Sequence, residues 1–131
     1  MRTIRKIGLL VVRDGRLLVV RKRGGTLWIL PGGKPEPGES DEQALNREVR
    51  EELSCDIAWS RRWDEIAAPA ADLPDVEVVV ACHIGEISGS PVPTEEIEEL
   101  AWVDMRSPEL PLAISIAEHM IPRLLAEGSD T

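Results

Sequence analysis

Tyrosine and phenylalanine are absent from this 131-residue chain, so four tryptophans are its whole aromatic inventory. Stacking on a flat ligand would therefore fall to Trp or to an Arg guanidinium. Cysteine occurs only at Cys55 and Cys82. Two cysteines make no disulfide framework, and they fit a reducing compartment. No apolar run is long enough for a membrane-spanning helix. The opening Met1-Arg2-Thr3-Ile4-Arg5-Lys6 lacks the apolar core and cleavage site of a signal peptide. The expectation is a cytoplasmic protein with no membrane partner. Positive charge is also scarce, with 15 Lys and Arg against 24 Asp and Glu and a net charge of −9. That balance argues against a nucleic acid polymer as partner, because such binding needs a basic footprint. An anionic ligand would have to be recruited locally, by metal and a few basic side chains.

What the chain has is a dense stretch from Leu30 to Cys55, LPGGKPEPGESDEQALNREVREELSC. Leu30 to Gly38 is too rich in Gly and Pro for helix or strand. Ser40 and Gln43 then have the spacing of a capping box, which opens a helix. Leu45, Val49 and Leu53 recur every fourth residue and form one apolar stripe. Glu48, Glu51 and Glu52 fall on an adjacent arc roughly 100° wide, with Arg47 at its far edge. Like charges at these spacings repel. Taken alone, the helix leaves two readings open, a solvated acidic face or a cation site. The glycine loop adds backbone carbonyls at the same place, and carboxylate plus carbonyl oxygens suit Mg²⁺ or Mn²⁺.

These residues resemble the Nudix box, G-x5-E-x7-R-E-U-x-E-E-x-G-U. Gly33 is followed by five residues and Glu39, then by seven residues and Arg47-Glu48-Val49-Arg50-Glu51-Glu52-Leu53. Every charged position of the pattern is filled. Ser54 stands where the family has Gly, and Cys55 where it has an aliphatic residue. The Gly closes the helix in a left-handed conformation, so Ser54 should cost on the order of 1 kcal/mol or force another cap. The resemblance, to the MutT-like branch, implies a hydrolase that cleaves the pyrophosphate bond of a nucleotide or nucleoside diphosphate derivative. By that likeness Glu48 and Glu52 are the primary ligands of Mg²⁺ or Mn²⁺, and Glu51 is a further ligand or a water-orienting base. Gly32 gives a carbonyl, and Arg47 pairs with Glu39 or another box carboxylate. A further ligand falls at Glu96, chosen among Glu95, Glu96, Glu98 and Glu99; a solvated loop is the other reading of that run.

Around this stretch the chain reads as one domain over 1–131. Ile7 to Val12 and Leu17 to Arg21 flank Asp14-Gly15, a hairpin signal. The first run is apolar on both faces, which implies a sheet covered on both sides. Leu27 to Leu30 reads as a short strand, Asp56 to Ala67 as a strand pair or one long bent strand, and Ala68 to Asp75 as a loop. Val76 to Ile84 reads as a strand, Ile87 to Thr94 as a loop, and Glu99 to Val103 as a strand. The last helix should turn Ile114, Ala117, Ile121 and Leu124 inward, with a kink at Pro122. The expected class is α/β, a Nudix-type α/β/α sandwich around a mixed β-sheet.

Lys22, Arg23 and Lys34 lie where a phosphate would pass, and Trp28 and Trp102 are candidates to stack a base. Surface solubility for the cations and core packing for the tryptophans are the competing readings. Asn46 is the only asparagine, and it lies on the box helix. The region before the last helix therefore offers no amide to read guanine. A nucleoside triphosphate or a similar small nucleotide is the expected substrate. A silent nucleotide-binding sensor is the alternative, and a homodimer is left open.

Overall fold

The computed structural model describes residues 2–70 and 73–128. Seven strands and two helical segments follow in the order β1 (Arg2–Leu10), β2 (Val12–Arg13), β3 (Arg16–Lys22), β4 (Gly32–Gly33), α1 (Asp41–Leu53), β5 (Asp56–Pro69), β6 (Val76–Ser88) and β7 (Ile97–Asp104). A π-type turn at Ser115–Met120 then runs into α2 (Ile121–Ala126). One sheet has the order β4-β1-β6-β5 and is mixed, with β1 and β6 parallel and the other pairs antiparallel. The second, β2-β3-β7, is antiparallel throughout. The Leu18 amide bonds the Val11 carbonyl at 3.0 Å, just where the chain passes from one sheet to the other.

Alternation along the first strand builds two cores, as its pattern predicts. Ile7, Leu9 and Val11 join Leu18, Val20 and the α1 stripe Leu45, Val49 and Leu53. Leu10 faces the other way, into Leu17, Val19, Met120, Ile121 and Leu124. A helix thus covers each face, which is the α/β/α sandwich. Asp14 and Gly15 both take positive φ, 50° and 76°, in the two-residue turn between Arg13 and Arg16.

Several expectations need correction. Leu27 to Leu30 is not a strand. Ile29 exchanges two 2.8 Å bonds with Val20, whereas Trp28 bonds Pro111 and Ala113. Adjacent residues thus hold different neighbours, and no ladder can propagate into Pro31, which has no N–H. Asp56–Pro69 is one long strand, bulged near Ile57 and Arg62. It takes in Ala68 and Pro69 of the expected loop, whose Ala71 and Asp72 lie outside the described residues. β6 runs on to Ser88 because β5 pairs with it over that whole length, so the following loop begins later than expected.

The last helix turns Ile121 and Leu124 inward as expected, but the turn before them presents a different face. Ile116, Met120, Ile121 and Leu124 are buried, and Ile114 and Ala117 are exposed. The cause is Pro122, which lacks the N–H an α-helix needs and whose ring would crowd the preceding turn. Before it, the Ile121 amide reaches back five residues to Ile116 O, a wider turn that shifts the register by one residue.

Candidate active site

Helix α1 carries the acidic cluster, and its start is fixed by reciprocal bonds. Ser40 Oγ accepts from the Gln43 amide at 3.1 Å, and Gln43 Oε1 accepts from the Ser40 amide at 2.9 Å. Burial of Ala44, Leu45, Val49 and Leu53 then sets the helix's rotation. Glu52 is carried in with that face and is only 1% exposed. At the far end Ser54 itself adopts the left-handed conformation, φ 56° and ψ 34°, and its amide bonds Arg50 O. The family's helix cap therefore survives without its glycine.

β4 brings the glycine loop against this helix. The Gly32 amide donates to Glu52 Oε1 at 3.0 Å. Glu52 Oε2 is buried and has no hydrogen-bond partner among the described residues. Burial pushes the Glu52 carboxyl up to about 8; the Gly32 amide opposes this, and the Glu48 charge adds to it. Burial also raises Glu48, against the pull of Arg47. Both glycines are required by close approach. A Cβ on Gly32 would sit 2.1 Å from Ile7 O, and one on Gly33 would sit 2.7 Å from Glu48 Cδ.

Arg47 organises the cluster. Its Nε and Nη2 grip both oxygens of Glu39, at 2.8 and 2.9 Å, and Nη1 donates to Glu48 Oε1 at 2.8 Å. Nη2 also reaches the Lys34 carbonyl at 3.3 Å, which ties the loop to the helix. The guanidinium, with the Glu36 amide, holds the Glu39 carboxyl down at about 2. Glu51 is half-exposed and stands 3.6 Å from Arg47. The loop before β7 is pinned to the end of α1, because the Thr94 amide bonds Glu52 O and its hydroxyl bonds Glu51 O. Glu96 follows there, exposed and 3.6 Å from Lys22.

Two cavities that share part of their lining lie here, one of them beside Glu48 and Glu96. A polar cleft of about 250 Å³ is lined by Lys6, Lys22, Lys34, Arg47, Glu48 and Glu96. An apolar pocket of about 280 Å³, walled by Leu27, Ile29, Leu73, Val80 and Ile114 among others, shares Lys6, Lys22, Gly32 and Gly33 with it. The structure thus brings Gly32, Gly33, Lys22, Lys34, Glu48 and Glu96 to one cleft, with Glu52 buried and bonded to Gly32 of its lining. It does not bring Arg23, whose guanidinium turns to Glu98 and the Glu95 carbonyl. Trp28 is a correction as well: it is buried in the α2-side core under Arg21, and neither cavity is lined by it. Trp102 lies under Arg13, 4.8 Å from its ring, beside a different surface recess. Sequence reasoning missed Lys6. The signal was a lysine interrupting the apolar alternation of β1, between Ile4 and Gly8 on one face.

The cluster fits a hard divalent cation. Among the described residues no three His, Cys, Asp or Glu side chains already converge as a cation cage. A buried carboxylate oxygen without a donor, beside a second carboxylate and a glycine backbone, is nevertheless the donor chemistry such an ion selects.

Residues 2–124 match the NUDIX domain family, and the chain belongs to it. It is 30% identical to the CTP pyrophosphohydrolase of Escherichia coli over 96% of this chain and 92% of that one. It is 37% identical to the NAD-capped RNA hydrolase NudC of Pseudomonas aeruginosa, over 74% of this chain but only 34% of that longer protein. Among solved structures, the MutT NUDIX hydrolase of Burkholderia pseudomallei superposes with a TM-score of 0.77 at 26% identity, covering 96% of this chain and 98% of that one. Family, fold and full-length relatives together make it a Nudix pyrophosphohydrolase, an enzyme that cleaves pyrophosphate bonds in nucleotide-linked compounds. Among the described residues no helix is long and apolar enough to cross a membrane.

Proposed function

We propose that this enzyme hydrolyses a nucleoside triphosphate or a similar small nucleotide, with Mg²⁺ or Mn²⁺ held by Glu48, Glu52, the Gly32 carbonyl and Glu96. The observation that carries the reading is Glu52 Oε2, buried and unpartnered on a carboxylate whose other oxygen is held by Gly32, a residue lining the cleft that Lys6, Lys22 and Lys34 share. A divalent cation at those groups supplies Lewis-acid neutralisation of the pyrophosphate oxygens. Lys22 and Lys34 receive phosphate charge, and Arg47 fixes the Glu48 carboxylate. Glu51, exposed at the rim, orients the attacking water or adds a ligand. The aliphatic pocket takes the nucleoside by burial of apolar area, without ring stacking. Its size suits one nucleoside better than a second large X group. The relative whose printed name includes CTP supports placing pyrimidine triphosphates first among candidates.

The test is incubation with a panel of nucleoside triphosphates, dinucleotides and nucleoside diphosphate sugars with Mg²⁺, followed by detection of phosphate and pyrophosphate. Turnover of a triphosphate that stops with chelator and with Glu52→Gln is the expected result. Binding across the panel without product would instead favour the silent sensor.

A further inference from the structure

The geometry points to Lys6 as the residue that holds the phosphate adjacent to the nucleoside. This rests on the nucleotide reading above. Lys6 lines both the apolar pocket and the polar cleft, so it stands on the wall between them. β1 holds it there rigidly: Lys6 is in register with Val80 of β6, and its neighbour Ile7 with Gly33 of β4. Lys22 shares both cavities, but its ammonium has a carboxylate, Glu96, at 3.6 Å. Lys6 has no side-chain hydrogen bond or ion pair among the described residues. It is also half-buried, so its ammonium is partly stripped of water without a fixed counter-ion. Lys22 and Lys34 repel it, and the attraction of Glu52 and Glu96 is smaller.

An ammonium so placed has donors free for an anion that arrives with the ligand. The position decides which anion. With the nucleoside in the aliphatic pocket and the scissile phosphates near Glu48, the group at the shared wall is the first phosphate of the chain. Both the substrate and a nucleoside monophosphate product carry that phosphate, whereas free pyrophosphate takes the place of the leaving phosphates, on the Glu48 side of the cleft away from the shared wall.

The test uses Lys6→Met, which keeps the apolar stem, and Lys6→Arg, which keeps the charge. Titration calorimetry with CMP, GMP, cytidine and inorganic pyrophosphate, in Mg²⁺, is combined with steady-state kinetics on the best panel substrate. Lys6→Met should weaken monophosphate binding about tenfold or more and raise KM to a similar degree, while kcat falls less than about threefold. Pyrophosphate affinity should hold, and Lys6→Arg should restore most of the loss. Monophosphate affinity within about twofold of wild type in Lys6→Met overturns the assignment, as does a wild type that binds no monophosphate. An equal loss for cytidine would mean that Lys6 reads the base, and an equal loss for pyrophosphate would place it on the leaving side; either overturns it. A wild type that binds monophosphate through Lys6 yet turns over nothing on the panel would sink the hydrolase reading and leave this one standing.

Discussion

The Gly32 amide donates to one oxygen of Glu52 and leaves the other buried without a donor. One glycine thus orients the carboxylate, and the helix stripe that buries it keeps water away. The pair leaves an acidic residue on the apolar side of α1 with one buried oxygen unsatisfied, which is costly until a cation, a proton or another donor reaches it.

The first prediction is a pH dependence of stability. The Glu52 carboxyl stays protonated in the folded, metal-free protein up to about 8, whereas in the unfolded chain it ionises near 4.5. Between those values the unfolded state binds fewer protons, so stability falls as pH rises through this window and levels off above it. The loss from this one group is on the order of a few kcal/mol at most. Glu52→Gln should flatten that slope in thermal melts run in chelator. Added Mg²⁺ should stabilise the wild type more at pH 8 than at pH 5, because a ligating carboxylate must lose its proton. A slope that is the same in both proteins would contradict the burial of this group.

Gly33→Ala separates chemistry from folding. Gly33 does not have a positive φ, so alanine fits its backbone, but the new methyl would meet the Glu48 carboxyl at 2.7 Å. The flexible end of Glu48 can swing aside and the fold survives. Turnover should fall about a hundredfold, since a misplacement near 1 Å at a reacting centre has that scale of effect. Gly32→Ala should behave differently, because its Cβ would strike the Ile7 carbonyl and its φ is 147°. Soluble expression and circular dichroism distinguish the two variants; a fully active Gly33→Ala would remove Glu48 from the site.

Arg47→Lys should lose most activity although the charge is kept. The guanidinium serves Glu39 with two donors and Glu48 with a third, and an ammonium cannot hold that fork. The Glu39 pair also gives a pH signature. Its folded carboxyl lies at about 2 against an ordinary 4.5, so the pair's stability is present above 4.5 and lost as pH falls towards 2. The difference in Tm between wild type and Arg47→Ala should therefore narrow on acidification.

The box helix was legible because its information is local. A capping pair three residues apart, a stripe every fourth residue and a run of glutamates all describe neighbours on one helix. The same holds for the Asp14-Gly15 turn. Lys6 left a trace, the break it makes in the β1 alternation, but the aliphatic pocket it borders was not legible, because that pocket is assembled from β1, the Leu27–Leu30 segment, the β5–β6 connection and the approach to α2. No spacing in the sequence encodes those meetings. Trp28 shows the same limit: residue type marked it as a stacking candidate, and only the packing of α2 decided that it is core. In the last helix Ile121 and Leu124 fell as expected, and Ile114 and Ala117 did not, because of one wide turn before Pro122.

Ser54→Gly is a prediction the sequence and structure make jointly. The family pattern asks for glycine at this position, and the structure shows why, with Ser54 at φ 56° while its amide caps Arg50 O. A left-handed conformation costs an L-residue roughly 1–2 kcal/mol, and glycine adopts it freely. Glycine also loosens the unfolded chain, which returns part of that gain. The net expectation is a stabilisation of about 0.5–1 kcal/mol, read as a rise of a few degrees in Tm. Activity should not change, because the Ser54 side chain lines neither cavity. An unchanged or lowered Tm would show that the serine is not strained at this cap.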